Sequence, residues 1–258
     1  MASRAWRPNR YRWQLAAPFP DAPILARRLG SCPLVAQVLA NRGIRDAEAA
    51  RAFLAPKLTD LHPPELLAGA PAAAERLARA VRDGEKITLY GDYDVDGITG
   101  VAILHAALRR MGARPDFYVP HRLEEGYGVN AEAVRKLVAD GARVLVTVDC
   151  GIGAAEALAE ATGAGVDVIV TDHHGLPDRL PSSAAIVHPA LESYPNPDLA
   201  GAGVAFKLAW QLARATCGSD RVDEPTREFL LDATSLAALG TIADVVPLVG
   251  ENRALAAY

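Results

Sequence analysis

The chain has 258 residues, half of them hydrophobic and 22% charged, with a formal net charge of −4 at pH 7. That balance allows one large or two small folded domains and excludes a largely disordered chain. No run approaches the roughly 18 apolar residues a membrane span needs, and the net negative charge argues against indiscriminate, charge-driven attraction to nucleic acid.

The start, with Arg4, Arg7, Arg10 and Arg12 but no apolar centre, is no secretory signal and reads as a frayed, solvated terminus. Apolar residues then recur at helical spacing, predicting short helices over 24–30, 33–43 and 46–55, with Gly30 and Gly43 as stops and Asp46 as an N-cap. Pro63 and Pro64 mark a break, and a longer helix follows over 71–82. From Lys86 the pattern changes to alternation. Strands are predicted at 86–91, 116–120, 143–148, 167–171 and 184–189. Helices fall at 98–112, 130–141 and 154–163, with Asn130 as a cap and Gly112 and Gly141 as stops. From Gly201 the chain turns helical, through 204–218 and then 225–244. Alternating strands and helices imply βαβ units. The nearly continuous apolar strands imply a sheet covered on both faces. The expected fold class is therefore α/β, a mostly parallel sheet flanked by helices, behind a small helical N-terminal segment. The expected division is 1–75 and 76–258.

Ligands of open parallel sheets bind beyond the carboxyl ends of the strands. Those ends carry Asp92-Tyr93-Asp94-Val95-Asp96-Gly97, then Asp149-Cys150-Gly151, then Asp172-His173-His174-Gly175, then His188-Pro189. Carboxylates and imidazoles without thiolates suit manganese or magnesium rather than structural zinc. A pair of such ions clamps the oxygens of a phosphoryl transfer. Gly97 and Gly151 are expected to let the backbone approach the ions or a phosphate. Rival readings of the same residues are weaker. An EF-hand loop opening at Asp92 needs a glutamate at its twelfth position, which here is Ile103. The segment GAGVAFKL at Gly201 lacks the ending of a phosphate loop and reads as a tight helix start facing the site. The absence of G-x-S-x-G leaves a serine hydrolase without support. A capped helix start accounts for Asp92, Asp94 and Asp96 alone, but not for Asp149 and the histidine pair. Cys32, Cys150 and Cys217 are scattered, which fits a reducing, cytoplasmic setting, with Cys150 a small buried residue at a strand end.

GDYDVDGITG, VTVDCGI, VTDHHGLP and LGTIADVVPLVGENR resemble the four signature motifs of the DHH phosphoesterases, in the form found in the single-strand-specific exonuclease branch of that family. HRLEEGYG, GAGVAFKL and the N-terminal RGIRDAEAARAFLAPKLTDLHPPELL extend the resemblance over about residues 22–255. The resemblance implies two Mn2+ or Mg2+ ions. Asp94 and Asp149, with Asp92 close by, would hold one; Asp96, Asp149, His173 and Asp244 would hold the other, with Asp149 as bridge and catalytic centre. Asp244 is singled out by the resemblance alone. His174 would contact the scissile phosphate as a catalytic and substrate-binding group, Asp172 would orient its neighbours, and Arg122 would hold a substrate phosphate. His121 is left between a substrate contact and a surface imidazole, and His62 and His105 read as structural. His188 stands where relatives often have Asn. The implied activity is metal-dependent hydrolysis of phosphodiesters from the 5′ end of single-stranded DNA, in repair and recombination. A helicase and a single-strand-binding protein are the implied partners, with no membrane. The resemblance also implies a further substrate-binding domain that these residues do not include. Two alternatives stay open: a phosphodiesterase for short oligoribonucleotides or cyclic dinucleotides, and a non-catalytic nucleic-acid-binding domain.

Overall fold

The structure, a computed structural model, describes residues 14–126, 128–219 and 221–258. It divides into two compact units, at Ala55 and Pro56. The arginines at 4, 7, 10 and 12 lie outside the described residues. In the first unit, α1 (Ala22–Leu29), α2 (Pro33–Asn41) and α3 (Ala47–Leu54) pack around Leu25, Ala26, Ala36, Leu39 and Ala50. Gly30 ends α1 in the left-handed conformation, and Asp46 caps α3 by accepting from the amides of Glu48 and Ala49.

The second unit opens on two short 3-10 turns, Leu58–Asp60 and Pro64–Leu66, before α4 (Ala70–Asp83). Leu67, Ala70, Ala73 and Ala74 belong to the core of this unit. The structural division therefore falls some way before the expected boundary at residue 75, because these apolar side chains are buried with the sheet. Next come β1 (Ile87–Gly91), α5 (Val95–Arg110), β2 (Asp116–Tyr118), α6 (Ala131–Ala139), β3 (Val144–Val148), α7 (Ala155–Gly163), β4 (Asp167–Thr171) and β5 (Ala185–Val187). The chain finishes with α8 (Gly201–Cys217), α9 (Glu224–Ala243) and α10 (Gly250–Ala257).

The five strands are parallel in the order β2-β1-β3-β4-β5. Alternation along β1, β3, β4 and β5 feeds two cores. Val144, Val146 and Val148 face the larger one, with residues of α4, α5, α8 and α9, while Leu145 joins α6 and α7 in the smaller. Full burial of one such aliphatic side chain stabilises by about 1.5–3 kcal/mol. Because β1 lies between β2 and β3, the connections leaving it and β3 diverge to opposite faces. This opens a crevice at the carboxyl ends of β1 and β3.

Two elements, α5 and α10, differ from the expected ones. Helix α5 starts at Val95 rather than Ile98, because the Asp94 side chain caps it, accepting from Gly97 N at 2.9 Å. Helix α8 starts at Gly201, where a tight helix start is expected, and a side chain from another helix satisfies its first amides. Helix α10 was not expected. Its residues carry no amphipathic signal of their own, yet Ala254 and Leu255 are buried.

Candidate metal centre

The site is built from ladder hydrogen bonds outward. The amides of Asp92, Asp149 and Asp172 still donate across the sheet, to Val148 O at 3.2 Å, Thr171 O at 2.9 Å and Val187 O at 3.2 Å. Each aspartate is thus the first residue beyond its strand, and all three side chains leave the same edge. All three are 1% exposed. Asp149 has φ of +62°, a left-handed conformation that is uncommon and costly outside glycine. Here strain coincides with the residue expected to bridge.

Around Asp149 the expected ligands converge. His173 Nε2 lies 3.1 Å from Asp149 Oδ1, 3.6 Å from Asp96 Oδ2 and 3.7 Å from Asp244 Oδ2. Candidate ligand atoms of Asp92, Asp94 and Asp149 fall within 4.8 Å of one another, as do those of Asp96, His173 and Asp244, and those of Asp149, His173 and His174. Asp149 is shared between groups, as a bridging residue would be. The short approach of His173 to Asp149 lacks the alignment of a hydrogen bond. Asp92 Oδ1, Asp149 Oδ1 and His173 Nε2 are buried without any hydrogen-bond partner. Buried polar atoms are rarely left so. Oxygen and imidazole donors turned toward one point are the coordination set of a hard or borderline divalent cation, so the residues fit the implied group.

Asp96 sits in the first turn of α5 and reaches across to α8. Its Oδ2 accepts from Gly201 N at 2.6 Å and its Oδ1 from Ala202 N at 2.8 Å. It therefore caps a second helix, and the positive end of α8 faces the carboxylate cluster. Sequence reasoning placed Gly201 near the site but gave no sign of this partner. Gly97 and Gly151 have a packing requirement of their own. A Cβ on Gly97 would meet the Asp92 backbone at 2.6 Å, and one on Gly151 the Thr147 hydroxyl at 2.5 Å. They allow the strand-end turns to close.

Asp172 points away from the shared centre. Its Oδ1 accepts from His173 N at 2.7 Å, His174 N at 3.1 Å and His174 Nδ1 at 2.7 Å, and its Oδ2 from Ile152 N at 2.9 Å. Nδ1 of the His174 ring is thus tied to Asp172. His188 is fully buried; its Nδ1 accepts from Ala190 N at 3.0 Å, so its Nε2 donates to His174 O at 2.8 Å. It supports the His174 backbone and is in none of the ligand groups.

Charges in this cluster are shifted as its burial dictates. Burial, with Asp96 nearby, pushes the Asp149 carboxyl up to about 7, against the pull of His173. Asp92 and Asp96 are raised for the same first reason. The hydrogen bond to Asp172 raises His174 to about 9, so it is an imidazolium at neutral pH. Asp172 is lowered: its hydrogen bonds from His174 and the Ile152 amide outweigh burial.

Arg122 lies apart from the aspartates, on the exposed turn after β2, with its guanidinium 5.2 Å from the centroid of the Tyr93 ring. Tyr93 stands between Asp92 and Asp94, so the arginine borders the site. His121 is exposed, 4.0 Å from Glu124. His105 packs edge-on to Phe117 and His62 edge-on to Tyr194. Cys150 is buried just beyond β3. A cleft of about 370 Å³ opens beside the centre, lined by Val129, Gly151, Ile152, Asp172, His174 and Gly175.

A parallel α/β domain with strand-end carboxylates and an imidazole converging at its switch point is of the class that takes divalent cations. The chain belongs to the DHH family, whose N-terminal domain profile matches residues 86–241. It is 43% identical over 251 residues to the single-stranded-DNA-specific exonuclease RecJ of Bacillus subtilis, covering 96% of this chain and 30% of that protein. Among solved structures it resembles RecJ from Thermus thermophilus in complex with Mn2+, with a TM-score of 0.73 and 37% identity, covering 91% of this chain and 32% of that one. It also resembles the Mg2+ complex from the same organism, with a TM-score of 0.60 and 34% identity over 91% of this chain and 28% of that one. The chain thus spans about a third of the length of these relatives. Among the described residues no helix is long and apolar enough to cross a membrane.

Proposed function

We propose that this chain carries the metal-dependent catalytic centre of a phosphodiesterase that removes nucleotides from the 5′ end of single-stranded DNA. The observation that carries the metal centre is the set of buried, unpartnered ligand atoms on Asp92, Asp149 and His173. The substrate class is supported by the relatives named as single-stranded-DNA-specific exonucleases.

In this reading Asp92, Asp94 and Asp149 would hold one Mn2+ or Mg2+ ion, and Asp96, Asp149, His173 and Asp244 would hold the other. Bound there, the ions supply Lewis-acid stabilisation of phosphoryl oxygens and an acidified water. The chain's own groups do the rest. His174, charged through Asp172, donates to the scissile phosphate. Arg122 forks onto a flanking phosphate, as a planar guanidinium is suited to do. Asp172 fixes the charge and direction of His174. A cytoplasmic role in repair and recombination, beside a helicase and a single-strand-binding protein, belongs to the same proposal.

The test is a substrate panel with Mn2+: 5′-phosphorylated single-stranded DNA, short oligoribonucleotides and a cyclic dinucleotide. Release of mononucleotides from the DNA, absent in Asp149→Ala, is expected. A preference for short RNA or the cyclic dinucleotide would overturn the substrate assignment.

A further inference from the structure

Asn252 lies in the first turn of α10 and is fully buried. Its side-chain amide donates to Asp198 O at 2.6 Å and to Pro247 O at 3.1 Å, and its oxygen accepts from Asn196 at 3.1 Å. These acceptors belong to segments that serve opposite sides of one ligand group. Asp198 is three residues before Gly201, whose amide, with that of Ala202, holds the Asp96 carboxylate. Pro247 is three residues after Asp244. One amide group therefore ties the chain entering α8 to the chain leaving α9.

The segment after Asp244 needs such a tie. Val245 is 84% exposed and has φ of +63°, a conformation that a β-branched residue keeps only when its surroundings impose it. Leu248 and Val249 are exposed as well, so packing of this segment contributes little. The base of the tie is firm. The neighbouring Glu251 is fully buried and accepts from His62 N at 2.7 Å, from Tyr194 OH at 2.6 Å and from the buried Lys207 ammonium. This network fixes α10 against α8.

We infer that Asn252 is a positioning residue for the Asp96–His173–Asp244 group, acting on both of its carboxylates at once and not on the Asp92–Asp94–Asp149 group. Its effect on ions rests on the reading that these groups are ion sites. Its effect on the backbone does not, and the two are measured separately.

The variant is Asn252→Asp, which keeps the shape and the acceptor for Asn196 but loses both donated hydrogen bonds; Asn252→Ser is read in the same way should the first not fold. Hydrogen exchange on the metal-free chain decides the clamp. Amides of 198–202 and 244–249 are expected to exchange faster together, with 92–97 unchanged. Unchanged exchange in either segment, or acceleration throughout the sheet, overturns it. Calorimetric titration with Mn2+ decides the consequence. The binding event that Asp244→Asn removes is expected to weaken by about 10–100-fold, as for other groups that orient metal ligands, while the event that Asp94→Asn removes stays unchanged. Equal weakening of both events overturns the selectivity. Asn196→Ala, which leaves both donated bonds in place, is expected to lower the melting temperature without altering either event. A wild-type chain that binds no Mn2+ sinks the ion-site reading, while the exchange result still settles the clamp.

Discussion

Gly201 and Asp149 approach so closely that only hydrogen fits between them: a Cβ on Gly201 would lie 2.4 Å from Asp149 Oδ1. The start of α8 is thereby wedged against the shared carboxylate while its amides hold Asp96. Gly240 makes the matching approach from α9, where a Cβ would lie 2.4 Å from Asp96 Oδ1.

Gly201→Ala is therefore predicted to displace Asp149 and weaken ion binding by at least about tenfold, in line with losses at residues that orient metal ligands. Far-UV circular dichroism should stay helical, since alanine favours the helix itself. Calorimetry with Mn2+ measures the affinity, and an unchanged value would show that Asp149 has room to move.

Asp94 combines a structural and a chemical task, capping α5 through Gly97 N while standing in the Asp92–Asp94–Asp149 group. The two separate by substitution. Asp94→Asn keeps a good cap and should melt near the wild-type temperature with one ion site lost. Asp94→Ala should lose that site and about 1 kcal/mol of stability besides. Equal melting of the two variants would remove the cap from the account.

How far the sequence led follows from which forces are local. Strand and helix positions in the sheet unit were legible because apolar periodicity and capping residues such as Asn130 act within a few residues; Asn130 caps α6 through Ala133 N at 2.7 Å. Asp92, Asp149 and His173 were legible as a site because parallel strands put their ends on one edge. Asp244 carried no such signal. It lies at the C-terminal end of a helix, and only the resemblance marked it. The Asp96–α8 cap, the Asn252–Asp198 bond and the buried Lys207–Glu251 pair join residues 44 or more apart, and nothing local foretells such partners.

Asp172 holds His174 by its ring and both backbone amides of the histidine pair. Asp172→Asn should lower the His174 pKa from about 9 toward the ordinary histidine value. An NMR titration of the ring protons would follow it. Turnover should fall more than KM rises, because the ring loses charge and direction at the reacting phosphate. A histidine that still titrates near the wild-type value would mean that other carboxylates set its charge.

Stability of the metal-free chain should depend on pH with a definite sign. Asp149 is raised to about 7, and Asp92 and Asp96 are raised too. Between the unfolded carboxylate value and about pH 7 the folded chain thus binds more protons than the unfolded one, so stability falls as pH rises. His174, raised to about 9, stabilises fully below the unfolded histidine value and loses that contribution as pH rises through about 9, the same sign. Asp172 is lowered and opposes only at acid pH, where its contribution is lost as pH falls. Melting temperature in a chelator should therefore decline from about pH 5 to about pH 8. Mn2+ should reverse the trend, because ions replace the protons. A chelated chain that grows more stable over that range would contradict the charge assignment.

The most direct test of the central claim, a shared carboxylate between two ion sites, is calorimetric Mn2+ titration of this chain and of Asp149→Ala. The account predicts about two ions per wild-type chain and damage to both binding events in the variant, since Asp149 stands in one ligand group with Asp92 and Asp94 and in another with His173. Loss of a single event, or binding indifferent to Asp149, would contradict it.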